Sequence, residues 1–488
     1  MKLFFIFILI WTHSAFSQDL TQGLRVNDLG TYPMETLEKP GYLQTVVDPS
    51  FGTIIRRITN AGSGNIIAPM YSTIQPWNAD ESFMIVYEVG KGHQLLDGKN
   101  YQFIRMLDDV NPDDIEQLFW DTTNSDLFYY VDRATGELIG YTVSSQEKNA
   151  IIDLKAAVNC TDISLGNDVQ MPSRDGTVFS FRCGNEKAYY YNLGTNDITE
   201  FDIEDLNFTA PMPGPSGTLF YHNKNVYGSD GKFLRTLDVA NGNEHASLGQ
   251  LTNGNDAYFS VVFAGTGCQG NITAHDMVTG DCLSIISQDI GYPYSQSGTH
   301  ISALAYQNNE SGWMAASMIG YDKDGQQLLD QELVIANSDP SNPKVCRIAH
   351  HRSDEDDPGF DYWGEPHAAI SPSGTRVLFG SDWSGPEDGQ SIDSYVVELP
   401  AYEQNLSTQN FSQTIANLAP NPFTDKTTLT IKNSTSKLHE LMIYDLQGQL
   451  IKTIVSVANN EMIITNEKMQ KGLYIYTCLL YTSPSPRD

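Results

Sequence analysis

From about Gly41 to Pro400 the chain alternates short apolar or in-and-out runs with clusters of Gly, Asn, Asp and Pro. The apolar spacing follows a period of two and almost nowhere the period of a helix face, so the pattern predicts strands joined by tight turns. One unit recurs: a strand, a Ser/Pro/Asp/Gly turn, then a second apolar strand. It is read in Ser72–Tyr87, in Val169–Phe181, in the shorter Pro215–Tyr221 and most clearly in Ile370–Phe379. Degenerate copies lie near Trp120–Asn124, Val261 and Tyr306. The anchors step by roughly 43–52 residues with one longer last step, a period typical of propeller blades. Seven four-stranded blades fit the span, each packing its faces on its neighbours. Gly52–Thr59 is expected to supply a closing strand to the blade built from the last repeat. A pair of stacked sandwiches is the alternative, and the repeat period disfavours it.

Both ends differ from this middle. Met1-Lys2, an apolar run to Trp11 and small residues before Gln18 describe a secretory signal peptide over residues 1–17. That run of about nine apolar residues is too short to span a bilayer, and no later segment is longer. Residues 18–40 form a lead into the propeller, 41–400, and 401–413 form a linker. From Thr414 the composition changes to turn-rich, alternating strands expected to form a small C-terminal β-sandwich over 414–477.

Three motifs in that last region carry a resemblance: Pro420-Asn421-Pro422-Phe423, Tyr444-Asp445-Leu446-Gln447-Gly448 and Lys471-Gly472-Leu473-Tyr474. Together they resemble the type A C-terminal sorting domain of the type IX secretion system of Bacteroidetes. The resemblance implies engagement of that machinery and release or attachment at the outer cell surface. Residues 478–488 resemble translated sequencing adapter, which would leave the sorting domain truncated.

Charge narrows the partners. With 29 Lys plus Arg against 60 Asp plus Glu, the net charge is −31, which argues against nucleic acid and anionic membrane as partners. Of the six cysteines, Cys478 falls in the adapter-like run. Export permits disulfides, with Cys160–Cys183 and Cys268–Cys282 the expected pairs and Cys346 a buried thiol.

Candidate chemistry gathers at one position of the repeat. Five residues before the turn proline stand Tyr71, Asn167 and His367, and His300 falls within one residue of that position. In a propeller these side chains line the mouth of the central channel, as a site or as water-bonded lining. The long last step holds His350, His351, the acidic run Asp354–Asp357, and then Asp361, Tyr362, Trp363, Glu365 and His367. Imidazoles and carboxylates at this density suit a divalent metal, carboxylates favouring calcium and imidazoles a transition metal. A solvated acidic loop is the alternative, and Asp354–Asp357 lacks the order of a calcium loop.

The Pro-x-x-Gly turn resembles the TolB-like propeller repeat. Glu365-Pro366-His367 with Ser371-Pro372-Ser373-Gly374, Val377–Phe379 and Ser381-Asp382 further resembles the last blade of oligogalacturonate lyases. Those propellers carry His-Pro-His-Pro ahead of the turn; His367 matches the second His, and Glu365 replaces the first. The resemblance implies a divalent metal held by His367, with Glu365 at the first position; the polar segment adds His350 and His351 as candidate ligands, calcium or manganese as candidate ions, and an extracellular polysaccharide is the expected substrate. β-Elimination on a uronate needs a base near C5 and a cation at the carboxylate. His300 or Tyr71 is the candidate base and Arg174 the candidate cation, with Asn167, Tyr362 and Trp363 as candidate substrate-binding residues. Asp361 and Glu365 could instead serve a glycosidase, which needs two carboxylates. A non-catalytic surface propeller that binds glycan or protein is the other reading.

Overall fold

The computed structural model describes residues 19–166, 170–239, 245–262, 270–293, 298–320, 322–353, 361–383, 391–402, 416–419, 424–431, 439–444, 450–456, 461–467 and 475–480. The chain divides into two compact units, Met1–Tyr402 and Glu403–Asp488.

The first unit is the seven-bladed propeller that the repeat period predicts. Six sheets are four-stranded and antiparallel, taken in chain order. Their first strands are Ile67–Ala68, Phe119–Trp120, Ile163–Ser164, Met212–Pro213, Ala246–Gln250 and Gly298–Ser302, for blades 1 to 6. Blade 7 has only Ala369–Ile370, Arg376–Ser381 and Asp393–Glu398 from its own repeat. Ile54–Arg57 adds the fourth strand, with Ile54 opposite Glu398 and Arg57 opposite Tyr395, and Thr45–Val47 adds a fifth outside it. The closing strand therefore lies where the sequence placed it.

The repeat turn is the same object in three blades. The Gly374 N–H donates to the Ser371 carbonyl at 2.9 Å and Ser371 N–H to Arg376 at 2.9 Å. Gly176 with Ser173 and Gly217 with Gly214 repeat the first bond. The three glycines have φ of 81°, 68° and 67°, a left-handed conformation that a Cβ penalises. In blade 1 the turn falls at Asn78–Glu81, three residues beyond the position that Pro76 suggests, and Glu81 takes the positive φ (55°) there.

Aromatic side chains fill the seams between blades 2 to 5. Phe179 packs on Tyr129 at 5.5 Å, Tyr190 stacks on Phe220 at 4.7 Å, and Tyr221 stacks on Tyr258 at 3.8 Å. Around blades 5 and 6 smaller side chains such as Ala257, Ala274, Ala316, Ile301 and Val334 pack with no exposure at all. The lead runs along the outside of blade 6, where Val26 bridges Cys346 and Met34 N–H donates to the Gly325 carbonyl at 2.7 Å. The second unit contains two three-stranded antiparallel sheets. One ends in Ile475–Leu480, so pairing with His439–Tyr444 continues through Cys478 to Leu480, into the run that resembles adapter.

Cys160 and Cys183 form a disulfide 23 residues apart, tying the segment after the helix Leu154–Val158 to the second strand of blade 3. Cys282 is also disulfide-bonded, and Cys268 lies outside the described residues. Cys346 is a buried free thiol, pushed up to about 12 by burial. Closing a loop of that length stabilises the fold by about 3 kcal/mol on the chain-entropy account. Cys160→Ala with Cys183→Ala should lower the propeller's denaturation free energy by that order, read in urea titration; an unchanged midpoint would assign the bridge no stabilising role.

Candidate functional site

The ring brings residues from distant repeats to one mouth of the central channel, at the entry ends of the inner strands. Two interblade hydrogen bonds show how. The Ser247 hydroxyl accepts from Ala303 N–H at 3.0 Å, and the Ser302 hydroxyl accepts from Ile370 N–H at 3.2 Å. Each joins the residue two beyond one histidine to the residue three beyond the next. His245, His300 and His367 are thereby equivalent in blades 5, 6 and 7. Their rings touch in sequence: His245 to His300 at 4.7 Å between centroids, His300 to His367 at 4.1 Å. Tyr71 closes the group from blade 1, edge-on to His300 at 5.0 Å and 5.3 Å from His367.

Glu365 reaches into this cluster. Its Oε2 lies 3.5 Å from His300 Nε2 and 3.7 Å from His367 Nε2. One donor atom from each of His300, Glu365 and His367 lies within 4.8 Å of the others, and this is the one such group of metal-ligating type among the described residues. Burial drives the His300 imidazole well below its ordinary value, and the neighbouring His367 and His245 push it the same way. A neutral imidazole keeps a lone pair for a metal, and a nitrogen–nitrogen–oxygen set suits a first-row transition ion. His300 Nδ1 is buried with no hydrogen-bond partner among the described residues. His245 and His367 both have φ of 46°. Left-handed backbone at a non-glycine residue costs about 1–3 kcal/mol and concentrates at functional sites.

Tyr362 and Trp363 arrive on the short helix Asp361–Gly364. Tyr362 packs edge-on to His367 at 4.8 Å, remains 37% exposed, and donates its hydroxyl proton to the Glu116 carboxylate. Trp363 stacks on Tyr87 at 5.9 Å.

Other candidate residues lie elsewhere. His350 is buried between Asp48 (3.9 Å) and Glu332 (4.0 Å) at the far end of blade 6's outer strand, Lys344–His350, with its ring against Phe51. His351 is buried with both nitrogens engaged, Nε2 facing the Met318 carbonyl at 3.1 Å and Nδ1 accepting from Ser353 N–H at 3.2 Å. Neither belongs to the His300–Glu365–His367 group. Arg174 sits in the turn that leaves the inner strand, at the opposite mouth, bonded to Gln250 Oε1 and the Tyr306 carbonyl. Asn167, Asp354–Asp357 and the side chain of Asp361 lie outside the described residues.

His245 escaped the repeat alignment because blade 5 lacks the proline turn that anchors the others. A signal was present: His245-Ala246-Ser247 and His300-Ile301-Ser302 share His-x-Ser, the pair that makes the interblade bond.

Residues 417–479 match the family described as secretion system C-terminal sorting domain. This indicates sorting by the type IX machinery to the surface or medium, and no helix among the described residues is long and apolar enough to cross a membrane. No curated protein matches the chain. Among solved structures it is similar to an oligogalacturonate lyase from Vibrio parahaemolyticus, with TM-score 0.53 and 16% identity over 73% of this chain and 96% of that one. It is also similar to an oligogalacturonate lyase in complex with manganese, with TM-score 0.52 and 17% identity over 77% and 99%. At such identities the likeness shows the propeller fold.

Six buried imidazoles, those of His93, His222, His275, His300, His350 and His351, are shifted down by burial. His93 falls to about 4 and His351 to about 3 from an ordinary 6.5. Below pH 6.5 the unfolded chain therefore binds protons that the folded chain refuses, so stability falls as pH drops towards 4. The raised carboxyls of Asp256, Asp330 and Glu332 act in the opposite direction and are outnumbered. The melting temperature of chelator-treated protein should decline steadily from pH 7 to 4.5; a flat profile would refute this balance.

Proposed function

We propose that the chain is an exported polysaccharide lyase that binds a divalent transition metal at His300, Glu365 and His367 and cleaves uronate-containing glycan by β-elimination. The observation that carries the reading is the convergence of these three donors, from two blades, on one point of the channel mouth. The similar solved structure of an oligogalacturonate lyase in complex with manganese, which shares the propeller fold, supports it.

A divalent cation held there would withdraw electron density from the uronate carboxylate and so acidify the proton at C5. His300 serves as a ligand in this reading, so it does not act as the base. That role passes to His245, the half-buried imidazole beside the donor group and outside it. Imidazole is the side chain best suited to take a proton near neutral pH, and Tyr71 is the second candidate. Tyr71 also holds the His300 and His367 rings from a third side, which limits their rotation. The exposed face of Tyr362 offers a sugar ring an apolar platform beside His367. Arg174, at the other mouth, is too remote to neutralise the same carboxylate. Asn167 and Trp363 keep their candidacy for substrate binding, Trp363 through its stack on Tyr87.

The carboxylate at Glu365 adds a negative charge where an imidazole would add none. It strengthens attraction for the cation and leaves less net positive charge for the substrate. Full-length protein should bind manganese in calorimetry, and Glu365→Gln or His367→Ala should weaken that binding by at least about tenfold. Retention of full affinity in both variants would remove the group as a metal site.

Activity is tested with the full chain on a panel of uronate polysaccharides, following ultraviolet absorbance of the unsaturated product. Product should form with manganese present, fall by about 100-fold or more in His245→Ala, and vanish in His367→Ala. Absence of product on every substrate and metal would favour the glycan-binding alternative. Loss in His367→Ala with full rate in His245→Ala would move the base to Tyr71.

A further inference from the structure

The opposite mouth of the channel, where the inner strands end in their turns, contains a pocket. It draws its lining from blades 1 to 6. Phe119, Trp120, Leu304 and Trp313 give it apolar walls. None of its lining residues is Asp or Glu, although the protein as a whole carries a net charge of −31.

Its polar lining includes two donor-only groups, Arg174 and the Trp313 indole. Arg174 stands at the threshold, shared with an outer vestibule that Thr122, Asp175, Pro215, Tyr306 and Gln307 also line; the Asp175 carboxylate bonds to Ser173 and Thr177. The Arg174 guanidinium bonds only to neutral acceptors, Gln250 Oε1 and the Tyr306 carbonyl, and makes no ion pair among the described residues. Three more groups, Thr73 Oγ1, the Tyr306 hydroxyl and Trp313 Nε1, are buried without hydrogen-bond partners among the described residues. The indole N–H can only donate, and both hydroxyls can. A half-buried cation that pairs with no carboxylate, Asp175 being bonded to Ser173 and Thr177, stands beside unpaired donors and favours a ligand that brings negative oxygen. Water satisfies hydroxyls, but it does not neutralise a guanidinium.

We propose that this mouth is a second binding site, separate from the His300–Glu365–His367 group, for a small carboxylate carried on a six-membered ring. The carboxylate pairs with Arg174, whose planar fork matches two oxygens, and the ring lies against the Trp and Phe walls. Both sugar acids and aromatic acids have this chemistry. The site stands whether or not the other mouth performs elimination, because no residue is shared between them.

The test is calorimetric titration of the full chain, with chelator present, using D-galacturonate and benzoate as probes and benzamide as the neutral comparison. At least one acid should bind saturably in the millimolar range or tighter, and benzamide should bind at least about fivefold more weakly. Arg174→Gln should weaken the acid at least about tenfold, and His367→Ala should leave it unchanged. Galacturonate as the tighter probe would identify a sugar acid, and benzoate an aromatic one; either supports the site. If Arg174→Gln does not fold, Trp313→Phe, which removes only the indole donor, should weaken binding about threefold or more. No saturable binding of either acid would overturn the proposal. So would full affinity in Arg174→Gln, or loss of binding in His367→Ala.

Discussion

Ring closure is the constraint on which the rest depends. Blade 7 has three strands from its own repeat, and Ile54–Arg57, more than 300 residues earlier in the chain, supplies the fourth. Side chains reinforce the ladder: Arg56 pairs with Glu398 at 2.9 Å, and Arg57 and Lys39 approach the buried Asp393 at 2.7 and 3.3 Å. The same Asp393 accepts from the Thr59 hydroxyl and Ala61 N–H, both at 2.9 Å, so one carboxylate gathers four groups of the N-terminal segment. Ile66 then bridges Ile392, which fixes blade 1 against blade 7. An open ring would leave a bare strand edge, exposed to pairing with other chains.

Closure also builds the channel mouth. His300 belongs to blade 6, and Glu365 and His367 to the approach to blade 7, while Tyr71 belongs to blade 1 and joins them only where the last blade meets the first. The energetic requirements fit a rigid frame. Buried neutral imidazoles lose hydration, and His245 and His367 hold left-handed backbone, costs that a loop would relax by rearranging. Interblade bonds from Ser247 and Ser302 hold the strands that carry those histidines in step. The geometry is thus a property of blade packing rather than of any one segment.

The two mouths differ in chemistry because the inner strands have direction. Entry ends carry His, Tyr and Glu; exit ends carry proline turns, Arg174 and the Trp and Phe side chains. Such a division lets one channel present a metal-type donor set at one end and a cation among apolar walls at the other.

Much of this was legible in the chain. Strand periodicity and the Pro-x-x-Gly turns established an all-β propeller, because an inward-outward pleat and a left-handed glycine are local requirements that residues must meet on their own. The closing strand and the Cys160–Cys183 pair followed from the same local spacing. Repeat position also marked His300 and His367, since equivalent positions in a closed ring face one axis; Tyr71 reaches the same group although its blade's turn lies three residues further on. Proximity in sequence misled where it stood in for proximity in space: His350 and His351 end an outer strand, and Arg174 occupies the far end of an inner one. His245 was hidden by a blade without the proline turn. Sequence alone therefore determined the blades, their number and their turns, all set by neighbours in the chain. Which histidines share one carboxylate was decided by the packing of blade 6 on blade 7, and the approach of Tyr71 to them by closing the ring, because only tertiary packing sets distances between separate repeats.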